Sequence, residues 1–180
     1  MHAEGVVHCD VKPSNVALFS ESVKWKLIDL DEAQKAEESR VRCFTPHYAA
    51  PEVLREYPEG DLPVAKPSVD IWSCGILAYE VLTGNYLLKL SPSRSAVLLS
   101  VGNRIFEDDL THDEICEFVL DGRVEEKLEM IPTDHDYRDV ISSLLKFDPA
   151  DRCSAADALH HLAFQSDPQT TIVEVRQLKV

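Results

Sequence analysis

The strongest pattern along the chain is hydrophobic and helical, over residues 68–83. Val69, Ile71, Trp72, Cys74, Ile76, Leu77, Tyr79, Val81 and Leu82 cover nearly the whole circumference of a helix. A helix apolar all round belongs inside a protein. Ser68, after Pro67, stands where an N-cap is expected, and Gly84 where a helix stops. Upstream, residues 15–19 and 23–28 read as two short strands, with Ser20-Glu21-Ser22 as the turn of a hairpin. Residues 30–50 show neither period and read as a long functional loop ending between Pro46 and Pro51. A polar, proline-containing connection follows at 57–67.

Beyond the central helix, Ser91-Pro92 opens a further helix that Gly102 closes, with proline at the first helical position, where its missing N–H costs nothing. Thr111 and Glu114 form a capping box ahead of Ile115, Phe118 and Val119, and Gly122 ends that segment. Val124, Leu128 and Ile131 predict a short helix stopped by Pro132. Tyr137, Val140, Ile141, Leu144 and Leu145 follow the i, i+3, i+4, i+7, i+8 rule. A last helix starts at Ser154, with Ala155, Ala158, Leu159 and Leu162 inward, and residues 165–180 read as a tail.

Composition narrows the class. At 180 residues and 44% hydrophobic content the chain has the bulk for one folded core. A net charge of -14 argues against a nucleic-acid surface, which is normally basic, and leaves a faint preference for basic substrates. The five cysteines are scattered without a C-x-x-C pair, which fits reduced thiols better than a disulfide framework or a zinc site. No apolar run approaches membrane-spanning length and no signal-peptide core opens the chain. The expectation is an intracellular protein, cytoplasmic or nuclear, with neither nucleic acid nor membrane as partner.

Chemistry concentrates at His8-Cys9-Asp10-Val11-Lys12-Pro13-Ser14-Asn15. A short loop in that order can aim a base, a cation and a metal ligand at one place. Singly, each residue has an ordinary alternative: Asp10 as a turn aspartate, Lys12 as a solvated lysine, Asn15 or Asp29 as a strand-edge turn residue. Order decides between them. Lys26-Leu27-Ile28-Asp29-Leu30-Asp31 follows, then Thr45-Pro46-His47-Tyr48-Ala49-Ala50-Pro51-Glu52, then Ser68-Val69-Asp70-Ile71-Trp72-Ser73-Cys74-Gly75, and finally Asp148-Pro149-Ala150-Asp151-Arg152. In sequence and spacing these five blocks, spread over residues 2–164, resemble the eukaryotic protein kinases of Ser/Thr type.

The resemblance implies a mainly α fold: a protein-kinase-like large lobe with a small β-hairpin, the small N-terminal lobe absent. It divides the chain into a lobe at 1–164 (catalytic loop 8–15, activation segment 29–52, buried central helix 68–83) and the tail. It implies transfer of the ATP γ-phosphate to a Ser or Thr hydroxyl of a protein substrate. By the same resemblance Asp10 orients the hydroxyl and accepts its proton, Lys12 neutralises charge on the transferred group, and Asn15 and Asp29 hold Mg²⁺ with ATP. Thr45 bonds the catalytic loop beneath the substrate, Glu52 and Arg152 tie the activation segment to the lobe, Asp70 accepts backbone N–H groups of the loop, and His8 supports it.

Three departures qualify this. Cys9 replaces the arginine of H-R-D, which normally pairs with an activation-loop phosphate, so no phosphorylation-driven ordering is expected through position 9. Asp29-Leu30-Asp31 replaces D-F-G, and Phe44 stands where many kinases have glycine. No glycine-rich loop, V-A-I-K lysine or partnering helix glutamate occurs in the 180 residues. Residues 2–7 resemble the end of the helix before the catalytic loop, so Met1 would fall inside that helix. The chain is therefore expected to be part of a longer kinase or a truncated product, needing the missing lobe or a covering partner and nearly inactive alone. A non-catalytic kinase-like module that binds proteins is the alternative.

Overall fold

The computed structural model describes residues 1–19, 24–60, 62–84, 87, 112–129, 131 and 137–161. Outside these fall the expected turn at 20–22, the helix opening at Ser91-Pro92, the cap Thr111, Pro132, Leu162 and the tail.

The chain starts with a single 3-10 turn, His2–Glu4, and Gly5 closes it in the left-handed region at φ 69°. Val6–Val7 (β1) then runs extended and pairs antiparallel with Gln34–Lys35 (β4). Of residues 2–7, which the sequence reads as the end of a helix, 2–4 are helical as a 3-10 turn capped by Gly5, whereas Val6 and Val7 are strand. A β-branched pair favours the pleat, and the ladder continues as the Ala36 N–H bonds Gly5 C=O at 2.9 Å. The loop expected at 30–50 thus contains a strand.

Val16–Phe19 (β2) and Lys24–Leu27 (β3) form the expected antiparallel hairpin, with Val16 opposite Leu27 and Phe19 opposite Lys24. Both strands are largely exposed, so pairing rather than burial defines them.

The helices supply the core. They are Pro51–Glu56 (α1), Pro67–Thr83 (α2), His112–Leu120 (α3), Arg123–Glu129 (α4), Tyr137–Leu144 (α5) and Ala155–Leu159 (α6). Helix α2 runs through the middle, burying Val69, Ile71, Trp72, Ile76 and Tyr79. It packs on α5, whose Val140, Ile141 and Leu144 are buried together with Leu145. That approach is close at Gly75, where a Cβ would lie 2.7 Å from Leu145 Cδ2. Ile115, Phe118 and Val119 from α3, Val124 and Leu128 from α4, and Ile131 just beyond α4 complete the core. All six follow the sequence periodicity.

Three details differ from expectation. Lys66, not Ser68, is the N-cap of α2: Pro67 takes the first helical position and biases the residue before it to extended backbone. Gly84 does stop the helix, at φ 66°. Val81 and Leu82 are exposed, so the burial of α2 does not extend all round at its last turn. In α6 the Ser154–Asp157 capping box forms, but Ala155 is exposed and Leu159 is 71% exposed. Leu159 borders an open groove of about 770 Å³, shared with Met1, Ile71, Cys74 and Ala156, instead of closing the core.

Candidate active site

Asp70, in the first turn of α2, organises the loop at 8–15. Its Oδ2 accepts the His8 N–H at 2.7 Å and its Oδ1 the Cys9 N–H at 2.8 Å. Cys9 sits at φ 66°, a region that non-glycine residues avoid. Two consecutive amides held by one carboxylate supply the constraint that keeps it there. The buried His8 ring then bridges two segments. Its Nδ1 accepts the Asp10 N–H at 3.3 Å, which leaves Nε2 to donate to Ile28 C=O at 3.1 Å. The end of the hairpin is thereby fastened to the loop.

Next comes a proline-initiated 3-10 turn, Pro13–Asn15. It buries the Asn15 side chain and brings its amide back to Asp10: Nδ2 donates to Asp10 C=O at 2.9 Å and to Asp10 Oδ2 at 3.2 Å. Two acceptors on one side fix the amide orientation and leave Asn15 Oδ1 available as a ligand.

Asp10 gathers the remaining groups. Thr45 Oγ1 donates to Oδ1 at 2.6 Å, and Lys12 Nζ lies 2.6 Å from Oδ2 and donates to Thr45 Oγ1 at 3.0 Å. The carboxylate is 14% exposed. Burial pushes its pKa upward, but hydrogen bonds from Lys12 and Thr45, the Lys12 charge and the Asn15 amide together outweigh it, holding the carboxyl below the ordinary aspartate value. Asp10, Lys12, Asn15 and Thr45 thus form one connected cluster, drawn from segments that stand 35 residues apart in its longest link.

Asp29 stands close by in the backbone, since the Ile28 N–H bonds Asn15 C=O at 2.9 Å. It is exposed, at φ 63°. Among the described residues no ion pair or hydrogen bond to its carboxylate is found, and no group of three or more His, Cys, Asp or Glu could hold a metal. Asn15 Oδ1 and the Asp29 carboxylate are nonetheless hard oxygen donors of the kind Mg²⁺ takes when phosphates and water complete its shell. Asp31 is exposed in the turn closed by the Ala33 N–H on Leu30 C=O.

The segment from Asp29 to Glu52 is held mainly through its backbone. Glu37 N–H bonds Ala65 C=O, Ala65 N–H bonds Ser39 C=O, Val41 N–H bonds Pro63 C=O, and Arg40 bridges to Val64. Cys9 offers no charge to that segment. Burial, and then the Asp70 carboxylate, push its thiol up to about 12. At the far end Glu52 meets Arg152 in a two-pronged pair, Nη1 to Oε1 and Nη2 to Oε2, both at 2.7 Å.

One contributor was not among the residues singled out in the sequence. His2 Nε2 lies 2.8 Å from Asp70 Oδ2, the same oxygen that holds His8. The sequence reading did not single out His2, and the fold brings it to Asp70.

A family model for the protein kinase domain matches residues 1–164. The chain belongs to the protein kinase family. Calcium/calmodulin-dependent protein kinase type 1 of Caenorhabditis elegans is 31% identical over 166 residues, covering 89% of this chain and 40% of the relative. The phosphorylase b kinase gamma catalytic chain, liver/testis isoform, of Mus musculus is 28% identical over 92% of this chain and 37% of its own length. A probable serine/threonine-protein kinase of Dictyostelium discoideum is 27% identical over 96% of this chain and 28% of its own. The chain thus spans well under half the length of these kinases. Among the described residues no helix is long and apolar enough to cross a membrane.

Proposed function

We propose that these residues are the large-lobe, catalytic part of an intracellular Ser/Thr protein kinase that transfers the ATP γ-phosphate to a Ser or Thr hydroxyl of a protein. The observation that carries the proposal is the Asp10 carboxylate, held at once by Thr45, Lys12 and Asn15. Kept ionised despite its burial, it can orient a substrate hydroxyl and accept the proton as the oxygen attacks. Lys12, beside that carboxylate, offsets negative charge on the group in transfer. Thr45 fixes the carboxylate from the activation segment, and with Lys12 it supports Ser or Thr over tyrosine as acceptor. Asn15 and Asp29 would hold Mg²⁺, which with ATP supplies the phosphoryl group and shields its charge. His8, Asp70, Glu52 and Arg152 act by keeping this frame in place. The lobe comprises 1–164, with loop 8–15 and activation segment 29–52, and 165–180 is its tail.

Cys9 and Asp31 support a second reading, a non-catalytic kinase-like module that binds protein partners. Phosphoryl transfer from Mg-ATP to a mixed Ser/Thr peptide library, measured on the full protein, separates the two. Transfer that falls about 10²-fold or more in Asp10→Asn, with ATP binding kept, is the expected result. Equal transfer by Asp10→Asn overturns the role of Asp10, and nucleotide binding without transfer selects the second reading. The 180 residues alone are expected to be nearly inactive, because the lysine–glutamate pair that phosphoryl transfer needs is not encoded within them.

A further inference from the structure

We infer that Phe44 and Tyr57 are positioning residues for the catalytic aspartate: their ring pair fastens the activation segment, immediately ahead of Thr45, to the turn after α1, and so keeps Thr45 Oγ1 aimed at Asp10. The anchor stands on geometry alone; its catalytic consequence rests on the kinase reading above.

Phe44 and Tyr57 meet edge to face, with ring centres 5.1 Å apart and planes at 90°. The charge distribution of aromatic rings favours that arrangement. Tyr57 opens the 3-10 turn Tyr57–Glu59, which continues directly from α1, and α1 is itself seated by the buried Val53 and Leu54. The pair therefore ties the activation segment to a fixed element. Phe44 is half-buried, and with Cys9, Asp10, Val41, Thr45 and Tyr48 it borders a space of only about 10 Å³. Little free volume thus lies between its ring and the Asp10 cluster.

Thr45 is the member of the cluster that stands furthest along the chain, 35 residues from Asp10, and its Oγ1 donates to Oδ1 at 2.6 Å. On its C-terminal side Pro46 restricts it to extended backbone, at φ -93° and ψ 116°. On its N-terminal side the segment is bonded at Val41, whose N–H meets Pro63 C=O at 2.9 Å, and Phe44 adds a side-chain hold next to Thr45. Cys9 brings no charge to this segment, and a glycine at 44, as many kinases carry, would bring no ring. The aromatic pair supplies, from within the activation segment, a hold that position 9 does not.

The test compares wild type, Phe44→Leu, Tyr57→Leu, the double variant and Tyr57→Phe in the full protein. Leucine keeps apolar bulk without the ring; phenylalanine at 57 keeps the ring. The Tyr48 amide, which donates to Thr45 C=O at 2.9 Å, reports on the segment by hydrogen exchange. Its exchange is expected to quicken about two- to tenfold in each leucine variant, the factor that an aromatic pair carries. Ile76, in the core of α2, keeps its wild-type exchange, Tyr57→Phe stays near wild type, and the double variant loses little beyond either single one. Phosphoryl transfer follows: kcat falls by a similar factor in the leucine variants with KM for ATP kept, and is retained in Tyr57→Phe. Tyr57 is 47% exposed, so Tyr57→Leu leaves the core intact even if Phe44→Leu does not. Wild-type exchange at Tyr48 in the leucine variants overturns the inference, as do equal loss in Tyr57→Phe, losses that multiply in the double variant, or an equal rise at Ile76. Quickened exchange with kcat unchanged overturns the positioning role. If exchange behaves as expected in a protein that transfers no phosphate, the anchor stands and the kinase reading is what fails.

Discussion

Replacing Arg152 with methionine should be among the most damaging single changes in this protein. The guanidinium uses all five of its N–H groups. Two meet Glu52 at 2.7 Å, Nε donates to Lys146 C=O at 2.7 Å, and the others donate to Ser68 C=O at 2.9 Å and Phe147 C=O at 3.0 Å. Its side chain is wholly buried, against 14% exposure for Glu52, and its carbon lies 5.1 Å from the Trp72 ring centre. Methionine fills much of the same space, so the cavity left is small. The dominant loss is electrostatic: a largely buried carboxylate without a counter-charge, costing about 3–5 kcal/mol. For a domain of this size each kcal/mol moves the melting temperature by about 2–4 °C, so a fall of about 6–20 °C is expected. Urea and thermal unfolding of wild type, Arg152→Met, Glu52→Met and the double variant provide the assay. If the orphaned charge is the cause, the double variant is more stable than Arg152→Met by about 1 kcal/mol or more, because it removes the carboxylate too. An Arg152→Met variant within about 1 kcal/mol of wild type, or strictly additive losses, would refute the reasoning.

Two further outcomes follow from the same geometry. Asp10 has a lowered folded-state pKa, so the unfolded chain binds more protons between the two values. The stabilisation is therefore complete above the unfolded value and drains away as pH falls through the folded one. Unfolding free energy measured downward from about pH 4, the ordinary aspartate value, should fall more steeply in wild type than in Asp10→Asn, and matching slopes would contradict the arrangement. Gly75→Ala should destabilise by about 1–3 kcal/mol despite better helix propensity, since the new Cβ meets Leu145 Cγ and Cδ2 at 2.7 Å and Leu144 Cβ at 3.0 Å. A neutral or stabilising effect in urea unfolding would mean that α2 and α5 separate more readily than their packing indicates.

Much of this protein was already written in its residue order. The hairpin, the central helix with its glycine stop and the apolar faces of α3, α4 and α5 follow from period and punctuation, because local backbone preference and one-sided burial act within a few residues. The cluster at Asp10 was legible as a list, since a loop of fixed length limits where Asp10, Lys12 and Asn15 can go. Beyond the pairings that the family resemblance implied, of Thr45 and Asp70 with the loop and of Glu52 with Arg152, long-range contacts had to wait for the fold. Val6 and Val7 look like a helix end until Gln34 and Lys35 are there to pair with them. Leu159 fits the inward face of a helix, yet only the position of α6 beside an open groove decides that it stays exposed. Asp70 alone is a helix-start carboxylate. Its service to His2, His8 and Cys9 arises because α2 passes beneath a turn more than 60 residues earlier in the chain. Sequence period reports which side of an element is apolar; which partner meets that side is a property of packing in three dimensions.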